Sequence, residues 1–199
     1  AALADTQIAA LTTAQVQAVA AATIGNMAES QMSALTNAQI AALSTAQIRA
    51  ISDANLAALD AAQIGAFTTG QVTAFTATQL HALESADIAE FTTAQVAAFT
   101  TTQINGLSED NVLDLAETQL AALTTAQVQA LTAANFAALE EAQVHALSTD
   151  QVAALTTTQI AGLAEADVAE FTAAQVAALT NTQIGTMSAT NFAALADTQ

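Results

Sequence analysis

Leu123-Thr124-Thr125-Ala126-Gln127-Val128-Gln129-Ala130 is one copy of a unit that returns every eight residues. From Leu3 onward the chain divides into such octads without insertion or deletion, as in Leu155 to Gly162 and Phe171 to Ala178. The first position is always large and apolar, from Leu3, Leu11, Val19 and Met27 to Leu195, and so is the sixth, from Ile8 and Val16 to Phe192. The second is usually Ser or Thr and the fifth usually Gln.

Ser or Thr followed three residues later by Gln is the sequence of a capping box: the hydroxyl accepts from the backbone N–H three residues on, and the Gln reaches back to the cap. Thr124 with Gln127, Thr156 with Gln159 and Thr172 with Gln175 all have this spacing. The apolar residues on either side, Leu123 and Val128, are spaced as a hydrophobic staple. Each octad therefore reads as a helix start, and the next start allows each helix only about one and a half turns.

A single long helix does not fit. At ~100° per residue the sixth position lies about 140° from the first, and each octad adds about 80°, so the apolar residues would spiral over every face. A β-solenoid fits poorly as well, since Ala and Gln are weak strand formers and apolar spacings alternating between five and three do not hold one strand face. One octad buries two large side chains, at roughly 1.5–3 kcal/mol each. Ordering its eight backbones costs about 1–2 kcal/mol apiece. A lone octad cannot fold, so the expected fold class is an all-α solenoid of tandem capped short helices in which neighbours supply the stability. The expected domain organisation is one repeat solenoid over 1–199, a segment of a longer repeat protein.

Gln is replaced at the fifth position by Thr23, Asn55, Asp87, Asn111, Asn135, Asp167 and Asn191. Three of these recur at an offset of 80 residues: Asn55 with Asn135, Asp87 with Asp167, and Asn111 with Asn191. That is one mark in roughly every 3.3 octads, or about 27 residues, which a coil turning about 110° per octad would produce by placing the marks on one side. Duplication of an 80-residue gene segment is the other account. Pairing of octads into 16-residue hairpins is disfavoured, because alternate octads do not differ consistently. In the coil, first- and sixth-position residues fill the axis, and Ala at the fourth and eighth lets helices approach. The seventh position, where Gln17, Arg49, Thr73, His81, Asn105, Gln129 and His145 occur, faces water.

Composition narrows the function. The 199 residues carry 18 acidic side chains against one basic residue, Arg49, for a formal charge of −17. So few cations argue against nucleic acid as a partner. The chain lacks cysteine, which leaves no thiolate nucleophile, disulfide or thiolate-bound metal. Thr, Gln, Asp or Asn interrupts every apolar run before membrane-spanning length, so no membrane insertion is expected. The chain opens at Ala1 already inside the repeat pattern, and any targeting signal is expected outside this segment.

Catalysis needs a nucleophile, an acid or base and charge stabilisers in one place. The histidines, His81 and His145, both occupy the variable seventh position, and the hydroxyls are accounted for as caps. We expect no catalytic site, no cofactor and no enzyme. The one candidate for a metal is calcium, held weakly by Glu84, Asp87 and Glu90 or by Glu165, Asp167 and Glu170. A solvated acidic face favoured by helix N-termini explains the same residues more simply. A threonine array that orders ice is a further reading, opposed by the commitment of the threonines to caps.

The octapeptide L-T-T-x-Q-[V/I]-x-A, as in Leu11 to Ala18, resembles long tandem tracts in very large secreted bacterial proteins labelled adhesin-like or haem-utilisation proteins. The resemblance spans essentially the whole chain. It implies an extracellular or cell-surface location and carries over no haem ligand, since neither histidine belongs to the motif. The leading expectation is a structural segment, a stalk, spacer or self-assembling fibre whose partners are its own copies or neighbouring repeats. A binding module, with an acidic face for calcium or a protein, or an ice-binding threonine array, is the alternative.

Overall fold

A computed structural model describes residues 3–81, 83 and 85–195. Among them lie 24 α-helices of four to six residues, α1 (Asp5–Ala9) to α24 (Ala189–Ala194) in chain order, and no strand. The shortness follows from the cap. Thr124 is extended, at φ −71° and ψ 159°, and its carbonyl accepts from Val128 N at 3.0 Å to close the first helical turn. Leu131 then donates its N–H to Val128 O at 3.2 Å and is itself extended, at ψ 135°. Two extended residues thus alternate with one turn of helix. The chain leaves each helix without the left-handed residue that often ends one: no described residue has positive φ. That is why the octad needs no glycine at a fixed position.

The chain divides into two compact units, Ala1–Gly106 and Leu107–Gln199. The division falls between two octads, since Leu107 is a first-position residue. Within each unit a helix packs on the one three octads further along. Ala21–Gly25 meets Thr45–Ala50 in the first, and Thr149–Ala153 meets Ala173–Ala178 in the second. This stacking makes each unit an all-α solenoid of short helices.

First- and sixth-position side chains form the core of both units, with Ile48, Leu56, Leu120 and Val128 fully buried. In the first unit four first-position phenylalanines meet edge to face, with ring centroids 5.1 Å apart for Phe67 and Phe75, 6.3 Å for Phe75 and Phe91, and 5.4 Å for Phe91 and Phe99. Close-packed interiors require small residues where backbones approach. A methyl group added at Gly106 would stand 2.6 Å from Ala77 Cβ, and one at Gly162 would stand 3.2 Å from Ala133 Cβ. In both cases an eighth-position residue meets the third-position residue of the octad three back.

The seventh position is exposed in most octads, as its water-facing role requires. Several of its side chains also reach to the next turn of the coil. Ser33 Oγ donates to Ala58 O at 2.9 Å, Arg49 Nε to Ala74 O at 3.4 Å, and Gln129 Nε2 to Ala154 O at 2.7 Å. His81 Nδ1 lies 3.2 Å from Gly106 O. Each spans 25 residues, ending at the eighth-position carbonyl three octads on. A helix of one turn leaves its last carbonyls unsatisfied, and these side chains cover some of them.

Candidate functional site

The most distinctive chemistry of the chain lies in its fifth-position amides, nearly all of which are buried. Gln159 shows the pattern. Its Oε1 accepts from Thr156 N at 2.8 Å and from Thr156 Oγ1 at 3.0 Å, while its own N–H donates to Thr156 Oγ1 at 3.1 Å. The two hydrogens of Nε2 go to the turn before, to Val128 O at 2.8 Å and Leu131 O at 3.0 Å. A buried amide must have its donors and acceptors satisfied, and here one side chain caps its own helix and closes the end of another 28 to 31 residues earlier.

The same geometry repeats. Gln127 with Thr124 and Gln175 with Thr172 form capping boxes, each with an N···Oγ1 distance of 3.3 Å. Gln175 also donates to Val144 O at 2.7 Å and Leu147 O at 2.8 Å. Gln47, Gln71, Gln79, Gln95 and Gln103 do likewise within the first unit, and Gln183 in the second. Where alanine replaces the cap hydroxyl, as at Ala4, Ala28 and Ala116, the reciprocal bond from the cap N–H to the Gln remains, at 2.7–3.0 Å.

The substitutions at the fifth position acquire a physical meaning. Asn is one methylene shorter, and Asn55, Asn135 and Asn191 donate only to the nearer carbonyl, Met27 O, Leu107 O and Leu163 O, at 2.9, 2.9 and 2.7 Å. An ionised Asp cannot donate at all. Asp167 Oδ2 accepts from Ala164 N at 2.7 Å, which preserves the half of the box that faces its own helix. Asp87 and Asp167 are therefore places where the tie between turns lacks its donor.

The acidic candidates gather at those places. Glu84 lies outside the described residues. Glu165 is exposed, whereas Asp87, Glu90, Asp167 and Glu170 are half-buried. Glu90 and Glu170 stand at the eighth position, and each has one buried carboxyl oxygen, Oε2, without a hydrogen-bond partner. Burial, then the charges of Asp87 and Asp60, push the Glu90 carboxyl above the ordinary carboxylate value. Burial, Asp167, Glu141 and Glu140 do the same to Glu170 against the opposing pull of His145. His145 Nε2 lies 3.9 Å from Glu141 Oε1, and both side chains are largely exposed. Among the described residues no three His, Cys, Asp or Glu side chains come together as a metal ion would require.

Sequence reasoning found the capping half of the fifth-position amide and missed the half that ties turns together. A signal was present. A capping box accepts Glu as readily as Gln, yet in a chain with 18 acids no octad has Glu at its fifth position. Such a preference points to use of the amide's hydrogens.

Comparison with known proteins agrees with this geometry. The model of the ALTTAQ repeat matches residues 32–69, 41–77, 80–117 and 136–165, which together cover 114 of the 199 residues. No curated protein matches the chain. With the matched segments extending over more than half its length and the octad unbroken between them, the chain belongs to the ALTTAQ repeat family.

Proposed function

We propose that the chain is a structural repeat segment, a stalk or spacer in a bacterial surface or secreted protein, which acts through length and stiffness rather than through a catalytic or cofactor site. The observation that carries this reading is the twin-bonded amide, recurring with the same partners 28 and 31 residues earlier at Gln47, Gln71 and Gln95 in one unit and at Gln159 and Gln175 in the other. A device repeated in octad after octad suits cohesion along a chain. The surface or secreted setting rests on the resemblance of the octad to tracts in large secreted bacterial proteins. A single cation among 199 residues supports a role apart from nucleic acid. Among the described residues no helix is long and apolar enough to cross a membrane.

Thermal unfolding of the chain in calcium and in chelator tests the reading. A spacer keeps the same Tm in both, whereas a calcium-binding module gains stability in proportion to the logarithm of saturating calcium. A saturable rise in Tm would replace the spacer reading with the binding one.

A further inference from the structure

Glu stands at the eighth position of the octad only at residues 90 and 170, and Asp stands at the fifth only at 87 and 167. Both acids thus fall in the same two octads, 83–90 and 163–170. Three octads earlier, one turn back, the cap is again an acid, Asp60 in one case and Glu140 in the other; the remaining acidic cap is Glu84. The two sets lie 80 residues apart and differ around the acids. Glu84 and Ser85 correspond to Ala164 and Glu165, whereas all three acidic positions keep a carboxyl.

These positions meet at the seam between turns. The eighth position is the close approach at which a methyl on Gly162 would stand 3.2 Å from Ala133 Cβ, and by the same register Glu170 comes to Glu141. The Glu170 carboxyl is held there with Oε2 buried and without a hydrogen-bond partner. The charges that act on it come from Asp167 in its own octad and from Glu141, His145 and Glu140 in the turn before. On the other side Ala189–Ala194 packs against Glu165–Ala169 and has no ionisable side chain. The amide tie that holds other turns is also missing, because an ionised Asp167 cannot donate to Leu139 O. Glu141–Ala146 and Glu165–Ala169 accordingly pack more loosely against each other than Thr149–Ala153 and Ala173–Ala178 do. Glu90 repeats the arrangement in the first unit, with Oε2 buried and unpartnered under the charges of Asp87 and Asp60.

We propose that the seam between octads 139–146 and 163–170 is a proton-operated joint in the solenoid, closed when Glu170 is protonated and loosened when it ionises, with the Glu90 seam as its counterpart in the first unit. The proposal deepens the spacer reading, and rests on it, as a regulation of stiffness along the chain. An ionised Glu170 adds a like charge to Asp167, Glu140 and Glu141, with only His145 opposing them, and its buried oxygen finds no donor. Opening the seam returns that oxygen to water and separates the charges. A proton on Glu170 removes the charge and supplies a hydrogen that a neighbouring carboxylate can accept. The closed seam raises the carboxyl above its ordinary value and the open seam restores it, so the closed form binds the proton more tightly. The seam is therefore tightest on the acid side and slackens as pH rises through the closed-state value. Turns tied by Gln hold no such group, which confines the response to the two seams.

Amide hydrogen exchange of the full chain, read by mass spectrometry, is the test, with each rate referred to that of the unfolded chain at the same pH. Protection in 163–170 should fall severalfold from mildly acidic to neutral pH. Protection in 155–162, which Gln159 ties to the turn before, should stay constant. Glu170→Gln should give 163–170 at neutral pH the protection that the wild type shows in acid, with no pH response left. Glu170→Ala, which installs the residue usual at the eighth position, should likewise abolish the response. His145→Gln should leave it in place. Three results would overturn the proposal: equal responses in 163–170 and 155–162, a response that survives both changes at Glu170, or one that disappears in His145→Gln. None of them touches the spacer reading, because that reading fails only on a saturable ligand.

Discussion

The side-chain amide of Gln103 donates to the carbonyl oxygen of Phe75 at 2.8 Å, across 28 residues of chain and with both partners buried. It also donates to Val72 O at 2.8 Å and accepts from Thr100 N at 2.7 Å. One side chain thereby joins the start of a helix to the end of another, so its chemistry can be tested by single-atom changes.

Gln103→Glu keeps an acceptor for Thr100 N and removes both donors. It leaves the Val72 and Phe75 carbonyls without the amide and places a charge where the amide was buried, so it should cost more than the roughly 1–3 kcal/mol of one unsatisfied buried group. The loss should shrink on acidification, because a protonated carboxyl again has a hydrogen to donate. Urea denaturation at neutral and acidic pH measures both. A cost independent of pH would count against the donor role.

Asp167→Asn should stabilise the chain. Asn135 and Asn191 show that the shorter amide reaches the carbonyl 28 residues earlier, which for position 167 is that of Leu139. The gain should be about 0.5–1.5 kcal/mol, the net value of one hydrogen bond. The reverse change, Asn135→Asp, should destabilise. Paired denaturation curves that show no opposite signs would contradict the geometry.

Glu90 and Glu170 give stability a pH dependence of definite sign. Their folded-state values are raised by burial and neighbouring acids, so the folded chain holds more protons than the unfolded one in the interval above the ordinary carboxylate value. Stability is therefore highest at the acid side of that interval and is lost as pH rises through it. Glu170→Gln should flatten part of this slope and raise the neutral-pH Tm. Equal slopes in variant and wild type would show that the general acidity of the chain, not this carboxyl, sets the dependence.

The cap hydroxyls should contribute individually. Thr156 Oγ1 accepts from Gln159 N at 3.1 Å, and Thr156→Ala should cost about 0.5–2 kcal/mol. The cost should stay at the low end, because Thr156 N still donates to Gln159 Oε1, as Ala116 N does to Gln119 Oε1. A loss well above that range would mean that the hydroxyl supports more than its own helix.

Glycine separates the close approaches from the open positions. Gly106→Ala should destabilise, since its methyl would crowd Ala77 Cβ at 2.6 Å. Gly65→Ala, whose added methyl meets nothing beyond its own helix backbone within 4 Å, should stabilise by roughly 0.5–1 kcal/mol through loss of unfolded-state freedom. Thermal melts of the two variants should move in opposite directions.

What is local is legible in the octad. Capping and stapling act over three to five residues, so Thr156 with Gln159 and Leu123 with Val128 specify short helices and their period. Spacing also made the first and sixth positions the core, because only large apolar side chains at both could sustain a helix of one turn. The tertiary structure decided what crosses turns. That Gln159 ends on Leu131 O, that Arg49 and Gln129 reach carbonyls 25 residues ahead, and that the charge of Asp60 acts on Glu90 all depend on how far one octad rotates the chain. That rotation is set by the packing of side chains far apart in sequence. No eight-residue pattern contains it. The absence of Glu at the fifth position was the one trace of the inter-turn bond left in the sequence, visible once the amide's two hydrogens were accounted for.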